Sequence, residues 1–265
     1  MNQLIQDMAQ QGMSHSLYST VNTTALIISV LFSFWFGKKM GVPLWKMFIL
    51  LLVTHLSMGA ILGAFWDVLL QMKDANTLGI TAVVNSIVRV FVFIPLIVLP
   101  VAWILRIKWH HACDAVVMFP LLRSALAQLA CIFPGCCRGY AWEWGIYNVK
   151  TQTYHFPTQI VETVLTLAVV AYLLHLAKKK DYISDGTLYP MMMILYGMQR
   201  FTSEMLRDNE KIFLGCSGVA LHAVLLYIVG MIVSLLLEKK RQVAEAQEAE
   251  EDPDDDLEDL IPQKG

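Results

Sequence analysis

Long apolar stretches constrain this chain more than any other feature of its sequence. About 20 consecutive, mostly apolar residues are enough for an α-helix to cross the ~30 Å hydrocarbon core of a bilayer. With 56% hydrophobic residues, 16% charged residues and a mean hydropathy of +0.53, the composition excludes an ordinary soluble domain. The sequence therefore predicts an all-α, polytopic membrane protein with about seven transmembrane helices, near residues 21–37, 44–70, 81–105, 112–133, 157–177, 187–206 and 214–237.

The basic residues between these segments predict how the chain is oriented. Lysine and arginine are more frequent on the cytoplasmic side of membrane proteins. Eleven basic residues lie on the side reached after the first, third, fifth and seventh segments, and five lie on the other side. We therefore expect the N-terminus outside and the C-terminus in the cytoplasm, with the loop 134–156 and the turn 207–213 facing out.

Composition divides the chain into three regions. Residues 1–20 form a polar external N-terminus without the basic region of a cleavable signal peptide, so we expect the first apolar segment to direct insertion. Residues 21–240 form the seven-helix membrane domain. Residues 241–265 form an acidic cytoplasmic tail that we expect to be disordered. Residues 1–244 alone carry a net charge of +7, which suits anionic lipid, and we expect no nucleic-acid partner.

Charged residues inside the sixth segment indicate a functional site. Residues 196–207 read Y-G-M-Q-R-F-T-S-E-M-L-R. Arg200 and Glu204 are four residues apart and share one helix face, and Arg207 follows three residues later. Because an arginine at mid-bilayer costs ~3 kcal/mol or more, these side chains should face protein, a cavity or a ligand. Two cations and a carboxylate near the membrane edge suit an anionic lipid headgroup.

Other charged residues also fall in or near apolar segments. Arg89 lies well inside the third segment and Arg123 near the middle of the fourth. Buried arginines normally pair with carboxylates or backbone carbonyls. Together with Arg200, these residues either form structural pairs or line one electropositive cavity. Asp67 and Asp114 lie near segment ends, where we expect water to solvate them.

The loop before the fifth segment carries a second polar cluster. It reads C-I-F-P-G-C-C-R-G-Y-A-W-E-W-G-I-Y-N from residue 131, and H-F-P-T-Q-I-V-E follows from residue 155. Gln159 and Glu162 share a helix face that meets the outer interface, where Arg207 is also expected. C-x4-C-C is not a recognised zinc spacing, so we expect no metal and no cofactor. Packing is the favoured role of the cysteines, with reactive thiols at Cys136 and Cys137 as the alternative.

These motifs resemble those of bacterial phosphatidylglycerol–prolipoprotein diacylglyceryl transferases. Residues 196–207 resemble the family's Y-G-x-x-R-F-x-x-E-x-x-R, and residues 155–162 resemble its H-P-[ST]-Q-L-Y-E with Phe156 inserted. Trp144 and the following glycine resemble part of P-W-G, and Asp114 matches an aspartate that precedes the fourth helix. The resemblance runs from about residue 85 to residue 237. It implies a multi-pass protein of the bacterial plasma (inner) membrane.

The chain departs from the family in its signature, R-x-G-N-F-x-N-G-E-x-x-G. The family's H-G-G loop is also absent, and Arg89 lies near its position. In the family, a histidine is a candidate base and the signature arginine contacts the lipid phosphate. Neither role is filled at the matching positions of this chain. When the signature is aligned on Gly135 and Gly139, Gln128 replaces its arginine and Cys131 replaces its first asparagine. Pro134 replaces its second asparagine, and Cys136 replaces its glutamate.

The resemblance implies transfer of diacylglyceryl from phosphatidylglycerol to the lipobox cysteine of a prolipoprotein signal peptide, with glycerol phosphate leaving. Arg200 would hold the phosphate and Glu204 would orient Arg200. His155 would act as a replacement base, because a thiol with a pKa near ~8.5 must lose its proton, unless His155 only caps the fifth helix. The remaining substrate-binding residues would be Arg207, Tyr196, Gln159, Glu162, Arg123 and Arg89.

The sequence leaves two other hypotheses open. The chain can be a relative of that family that binds phospholipid without turnover, or that acts on another lipid or nucleophile. The loss of the signature arginine, asparagine and glutamate favours this hypothesis. A transporter is the third hypothesis, although the sequence contains no inverted repeat and no matched pair of interrupted segments.

Overall fold

Helices account for most of the chain. A computed structural model describes residues 13–56, 87–148, 151–209 and 215–251, with side chains described from residue 16 and, after the first gap, from residue 91. We number the elements in chain order. The helices are α1 Met13–Lys39, α2 Leu44–Leu56, α3 Ile87–Ile104, α4 Trp109–Val116, α5 Met118–Ala130, α6 Thr158–Lys179, α7 Leu188–Met205 and α8 Gly218–Glu251, and the strands are β1 Ala141–Asn148 and β2 Thr153–His155.

The membrane class predicted from the sequence is confirmed. Each of the seven predicted segments contains a helix, and α4 and α5 together form the fourth. Within the part of the chain that the structure describes, four helical stretches are long and apolar enough to cross a bilayer, with α4 and α5 counted as one: Ser16–Lys39, Trp109–Ala130, Thr158–Lys179 and Gly218–Ala244. The count of seven spans and the orientation stay predictions. Asp67 lies outside the described residues, and the antiparallel β1–β2 hairpin was not predicted.

The helices pack in an order that brings α5, α6 and α7 together. α1 packs against α5, α5 against α6, α6 against α7, and α7 against α8. The shared core is apolar and includes Phe36, Ile94, Phe119 and Leu173. Large apolar side chains elsewhere point outward, among them Leu96 on α3, which suits a surface covered by lipid tails.

Gly197 allows α7 and α8 to approach closely. A Cβ atom at residue 197 would come within 2.8 Å of the Ala223 carbonyl oxygen and 2.9 Å of the Tyr227 nitrogen. The preceding residue, Tyr196, is fully buried, and its hydroxyl is hydrogen-bonded to Ser124 Oγ on α5 at 2.9 Å. The Tyr-Gly pair therefore gives α7 a close contact on each side: the tyrosine towards α5 and the glycine towards α8.

Asp114 holds the start of α7 against α4. Its Oδ1 accepts a hydrogen bond from the Tyr189 backbone N–H at 2.9 Å, and its Oδ2 accepts from Ser184 Oγ at 2.8 Å and Gly186 N–H at 3.0 Å. The first N–H groups of a helix lack partners within the helix and favour an anion. Asp114 is fully buried, so the expectation that water solvates it is wrong.

The last helix is longer than the sequence indicated. α8 continues to Glu251, beyond the predicted segment 214–237 and into the region predicted as an acidic tail. Arg241 Nη2 lies 2.7 Å from Asp185 Oδ2, and Lys180 Nζ lies 2.5 Å from the same oxygen. Burial opposes the charged form of Asp185, but hydrogen bonds from Lys180 and Thr187 outweigh it and hold the pKa of this carboxyl well below its usual range. An ion cluster around Asp185 therefore joins α8, at Arg241, to the α6–α7 loop.

We expect Asp114→Asn to destabilise the protein by ~1–3 kcal/mol, because the amide presents only one oxygen to three donors that the carboxylate now satisfies. Thermal unfolding of the detergent-solubilised protein measures the effect. Asp208→Asn is the control, because its side chain is 55% exposed and its ion pair with Arg138 spans 3.6 Å. Equal unfolding temperatures for the two variants would contradict the capping role of Asp114.

We expect Asp185→Asn to lower stability by ~1 kcal/mol at pH 7, since its partly exposed ion pairs are screened by solvent. A lowered carboxyl pKa stabilises the fold above the unfolded value of ~3.9, and this contribution is lost as the pH falls through the folded value. The difference between wild type and variant should therefore shrink below about pH 4. Thermal unfolding at pH 7 and pH 3 tests this, with the exposed Asp181→Asn as control.

Candidate functional site

Glu162, on the first turns of α6, lies at the centre of the site. Its side chain is 1% exposed, and its two oxygens accept hydrogen bonds from three directions. Oε1 accepts from Arg200 Nη1 on α7 and from Gln128 Nε2 on α5, the latter at 2.9 Å. Oε2 accepts from Arg207 Nη2, just after α7. One carboxylate on α6 thus binds Gln128 on α5 and both arginines of the charged motif, Arg200 and Arg207.

Glu204 is the second carboxylate of the site. Its Oε2 lies 3.4 Å from Arg200 Nη2 and 3.5 Å from Arg207 Nε. Its Oε1 accepts from Ser217 Oγ at 2.8 Å and from Asn209. Two glutamates and two arginines therefore alternate in a ring of four buried charges with no formal net charge. We call this the charge ring: Glu162, Arg200, Glu204 and Arg207.

The charge ring confirms two expectations from the sequence. Arg200 and Glu204 form an ion pair across one helix turn, and Glu162 meets Arg207 where α6 and α7 come together. Burial opposes the charge of Arg207, but Glu162 and its other acidic neighbours hold the pKa of this guanidinium above its ordinary value. Arg207 and Arg200 each lie between the same two carboxylates.

The charge ring leaves two buried donors unused. Arg200 Nε and Arg207 Nε have no hydrogen-bond partner among the described residues. Gln128 Oε1 and both amide atoms of Gln199, which precedes Arg200, are also buried without a described partner. Buried polar groups are almost always hydrogen-bonded, so a group of unpaired atoms needs an explanation. A phosphate oxygen is a strong acceptor for arginine N–H groups.

Arg123, another predicted arginine, lies apart from the charge ring. Arg123 Nη2 donates to Asn22 Oδ1 on α1 at 2.7 Å, and its Nη1 is buried without a described partner. Gln128, at the position of the family's signature arginine, does contact Glu162 but carries no charge. The side chain of Arg89 lies outside the described residues. Arg200 and Arg207 therefore belong to a ring without formal net charge, Arg123 is a separate cation near α1, and these three arginines do not line one electropositive cavity.

His155 is bound through both ring nitrogens to the hairpin and its neighbouring loop. Nδ1 lies 2.8 Å from the Gly139 carbonyl oxygen, so this nitrogen carries the proton and donates. Nε2 lies 2.8 Å from Thr151 Oγ1, which can donate to it, and 2.9 Å from Thr153 Oγ1, which donates to Thr151 Oγ1. These contacts favour a structural role for His155 over the predicted base. The glycine after Trp144 serves the same packing, since a Cβ there would lie 1.9 Å from the His155 carbonyl oxygen.

Three cysteines come together beside the charge ring, which their spacing in the sequence did not predict. The Sγ atoms of Cys131, Cys136 and Cys137 all lie within 4.8 Å of one another, and all three residues are half-buried free thiols. The chain folds back at Gly135, which has φ +67°, and this turn closes the four-residue gap in C-x4-C-C. We call these residues the thiol cluster. In the sequence, the glycine at position 135 is a weak signal for a turn that brings Cys131 and Cys136 together, since glycine readily adopts positive φ.

Polar contacts fix the loop that carries the thiol cluster. Gln159 Nε2 donates to the Cys136 carbonyl oxygen at 2.7 Å, so this predicted lipid-contacting side chain instead supports the loop. The Tyr140 N–H donates to the Leu206 carbonyl oxygen at 3.2 Å. Hydrogen bonds from the Cys131 and Cys136 thiols hold the pKa of the Cys137 thiol below its ordinary value, and the nearby Arg207 and Arg200 act in the same direction.

We expect Glu162→Gln to destabilise the protein by ~3–5 kcal/mol, because it leaves two buried guanidiniums with a single carboxylate between them. The double variant Glu162→Gln with Arg200→Gln should lose less than the sum of the two single variants, since removing both charges removes the uncompensated one. Denaturant unfolding of the four proteins gives the coupling free energy. Glu143→Gln, an exposed carboxylate on β1, is the control. Additive losses would contradict a coupled ring.

Comparison with known proteins identifies relatives of the chain. The family model described as prolipoprotein diacylglyceryl transferase matches residues 8–237. The chain is 27% identical over 147 residues to a phosphatidylglycerol–prolipoprotein diacylglyceryl transferase of Dehalococcoides mccartyi, covering 51% of this chain and 54% of the relative. It is 25% identical over 95 residues to the protein of the same name from Streptococcus uberis, covering 36% of this chain and 37% of the relative. The chain thus spans about half the length, or less, of these relatives.

Proposed function

The chain belongs to the prolipoprotein diacylglyceryl transferase family, and we propose on this premise that it transfers diacylglyceryl from phosphatidylglycerol to the cysteine thiol of a prolipoprotein signal peptide. In this reaction a bond forms between the acceptor sulfur and the terminal glyceryl carbon of the diacylglyceryl group. The bond from that carbon to the phosphate oxygen breaks, and its electron pair leaves with glycerol phosphate. The S–H bond of the acceptor also breaks, and its proton passes to water. We assign the site to the outer face of the bacterial plasma membrane from the charge bias of the loops.

The unused donors of the charge ring support this proposal most directly. Arg200 Nε is a buried N–H group without a hydrogen-bond partner among the described residues, and Arg207 Nε has only the carboxylate oxygen Glu204 Oε2 near it, at 3.5 Å and without a hydrogen bond. A phosphodiester supplies acceptor oxygens and gains negative charge as glycerol phosphate departs, so guanidinium donors stabilise the leaving group. Glu162 and Glu204 hold both guanidiniums in place. Gln128 Oε1 is free to accept from a glycerol hydroxyl of the headgroup.

An apolar groove beside the charge ring suits the acyl chains of the lipid. The groove lies between α6 and α7 and has a volume of about 400 Å³. It begins at Gln199, which precedes Arg200, and at Leu165, one turn after Glu162. It continues to Tyr172 in the middle of α6. An acyl chain in this groove would place its headgroup next to the two arginines, because groove and ring share the same two helices.

A second candidate function is phospholipid binding without transfer of diacylglyceryl to a prolipoprotein cysteine. Two observations favour it. The neutral Gln128 contacts the charge ring at the position where the family has an additional arginine, so the site has no excess positive charge. In addition, both ring nitrogens of His155 are engaged in contacts. A neutral ring attracts an anionic headgroup less strongly than a cationic one. This candidate shares the lipid site of the transferase, so the two differ only in the chemical step after lipid binding.

Transfer to a synthetic lipobox peptide separates these candidates. The full chain in nanodiscs containing phosphatidylglycerol should add a diacylglyceryl mass to the peptide, and none when phosphatidylethanolamine is the sole lipid. Arg200→Ala should lower the rate by ~100-fold or more, since it removes a donor to the leaving phosphate. Arg106→Gln, an exposed cation on a distant loop, should leave the rate unchanged.

Native mass spectrometry of the same samples gives the second readout. Bound phosphatidylglycerol that depends on Arg200, without product, would support the binding protein and exclude the transferase. Bound lipid that is unaffected by Arg200→Ala would contradict both candidates.

A further inference from the structure

We propose that Cys131, Cys136 and Cys137 bind a Zn²⁺ ion, and that the acceptor thiol becomes its fourth ligand. The metal site follows from the three thiols of this chain. The identity of the fourth ligand rests on the proposed transferase function. The site would thus supply the thiol activation that His155 does not provide while both of its ring nitrogens are engaged.

The positions of the three sulfur atoms suit a single metal ion. A tetrahedral site with Zn–S bonds of ~2.3 Å separates the sulfurs by about 3.8 Å. The three Sγ atoms already lie within 4.8 Å of one another. Small side-chain rotations that shorten the sulfur–sulfur distances by about 1 Å bring them to that spacing. Thiolates are the preferred ligands of Zn²⁺ in proteins, and three protein ligands with one exchangeable position are typical of catalytic zinc sites.

The loop holds this geometry without help from a metal. Gln159 donates to the Cys136 carbonyl oxygen at 2.7 Å, and Asn148 Nδ2 donates to the Gly135 carbonyl oxygen at 2.7 Å. Cys137 has φ +58°, a conformation that non-glycine residues rarely adopt and that occurs often at ligand-binding sites. A fixed, strained turn that directs three thiols towards one another is unnecessary for simple packing.

The exposure of the cluster leaves room for a fourth ligand. All three cysteines are half-buried, whereas Cys113 in the core is buried. A fully enclosed set of thiols would indicate a closed structural site. Partial exposure instead allows a peptide thiol to approach the metal from the surface.

The surrounding charges compensate a zinc–thiolate site. Three thiolates and Zn²⁺ carry a net charge of −1, and the charge ring is neutral. Arg123 lies close enough to Cys131 to interact electrostatically, and one of its guanidinium nitrogens is buried without a described partner. Arg207 and Arg200 interact in the same way with Cys137. The separate cation near α1 thereby acquires a partner.

The position of the cysteines in the sequence connects them to the reaction. Cys131 and Cys136 stand where the family signature has asparagine and glutamate, so two departures from that signature supply two of the metal ligands. The replaced polar side chains and the new thiols thus occupy the same loop, next to Arg207. In this chain, metal-binding thiols would therefore replace the asparagine and glutamate side chains on the part of the site that receives the acceptor.

The chemical step balances with zinc as a thiol activator. The acceptor sulfur binds Zn²⁺, its S–H bond breaks, and the proton passes to water, since coordinated thiols are deprotonated. The thiolate forms the S–C bond, and the electron pair of the broken C–O bond leaves with glycerol phosphate. The product is a neutral thioether, a weaker ligand than a thiolate, so its Zn–S bond breaks and the site is ready for another acceptor.

Metal content of the purified full chain tests the binding site directly. Elemental analysis should find about one zinc per chain in the wild type and below about 0.2 in Cys131→Ser, Cys136→Ser and Cys137→Ser. Cys216→Ser is the matched control, because Cys216 is a half-buried free thiol outside the cluster, and it should retain zinc. Removing zinc from the wild type with a chelator and restoring it avoids any dependence on variants that fold poorly.

Cobalt substitution tests the fourth ligand. The Co²⁺-loaded wild type should show intense sulfur-to-cobalt absorption, and a lipobox peptide should shift its ligand-field bands. The same peptide with serine in place of cysteine should cause no shift. A shift with both peptides, or with neither, would overturn the assignment of the acceptor thiol as ligand.

The remaining outcomes separate this inference from the proposed function. Zinc at background level in the wild type, equal zinc in the cluster variants, or a disulfide within the cluster overturns the metal site. Peptide modification by chelated, zinc-free protein leaves the transferase intact and overturns the role of zinc. Cysteine-dependent spectral shifts without any diacylglyceryl product support the metal site and contradict the transferase.

Discussion

The carboxylate of Glu162 is the contact on which the rest of this site depends. It accepts hydrogen bonds from Gln128 on α5, Arg200 on α7 and Arg207 beyond α7, while its own backbone belongs to α6. A buried ion pair is stable only when every charge keeps its partner, because desolvation of an unpaired charge costs several kcal/mol. Glu162 therefore fixes the relative positions of three helices as well as the charges of two guanidiniums.

The contacts around α7 explain how a polar motif persists in an apolar helix. Asp114 binds its first turn, Gly197 brings it against α8, and the charge ring holds its last turn. Tyr196 joins the same helix to α5. With both ends fixed, Arg200 cannot turn away from its carboxylates without breaking several contacts at once. The motif 196–207 therefore contains residues that pack α7 against its neighbours as well as the charged residues of the site.

Features that depend on local spacing could be predicted from the sequence, and features that depend on distant contacts could not. The helical class and the Arg200–Glu204 pair follow from periodicity within single segments. Burial of Asp114 depends on a loop more than 70 residues away. The thiol cluster depends on backbone turns with positive φ, which spacing alone does not reveal. Arg123 and Arg200 lie on neighbouring elements, but only the tertiary packing shows that they have different partners.

Arg207 belongs to two structures at once. Its guanidinium completes the charge ring, while its backbone pairs with Gly139 in the loop that carries the cysteines. A ligand that draws the guanidinium towards itself therefore also pulls on the turn that positions the three sulfurs. A ligand-induced shift of Arg207 would link the two sites, and linkage is reciprocal, so each ligand would change the affinity for the other by the same factor. Under the proposed function, lipid at the charge ring would therefore alter how the peptide binds beside the thiol cluster.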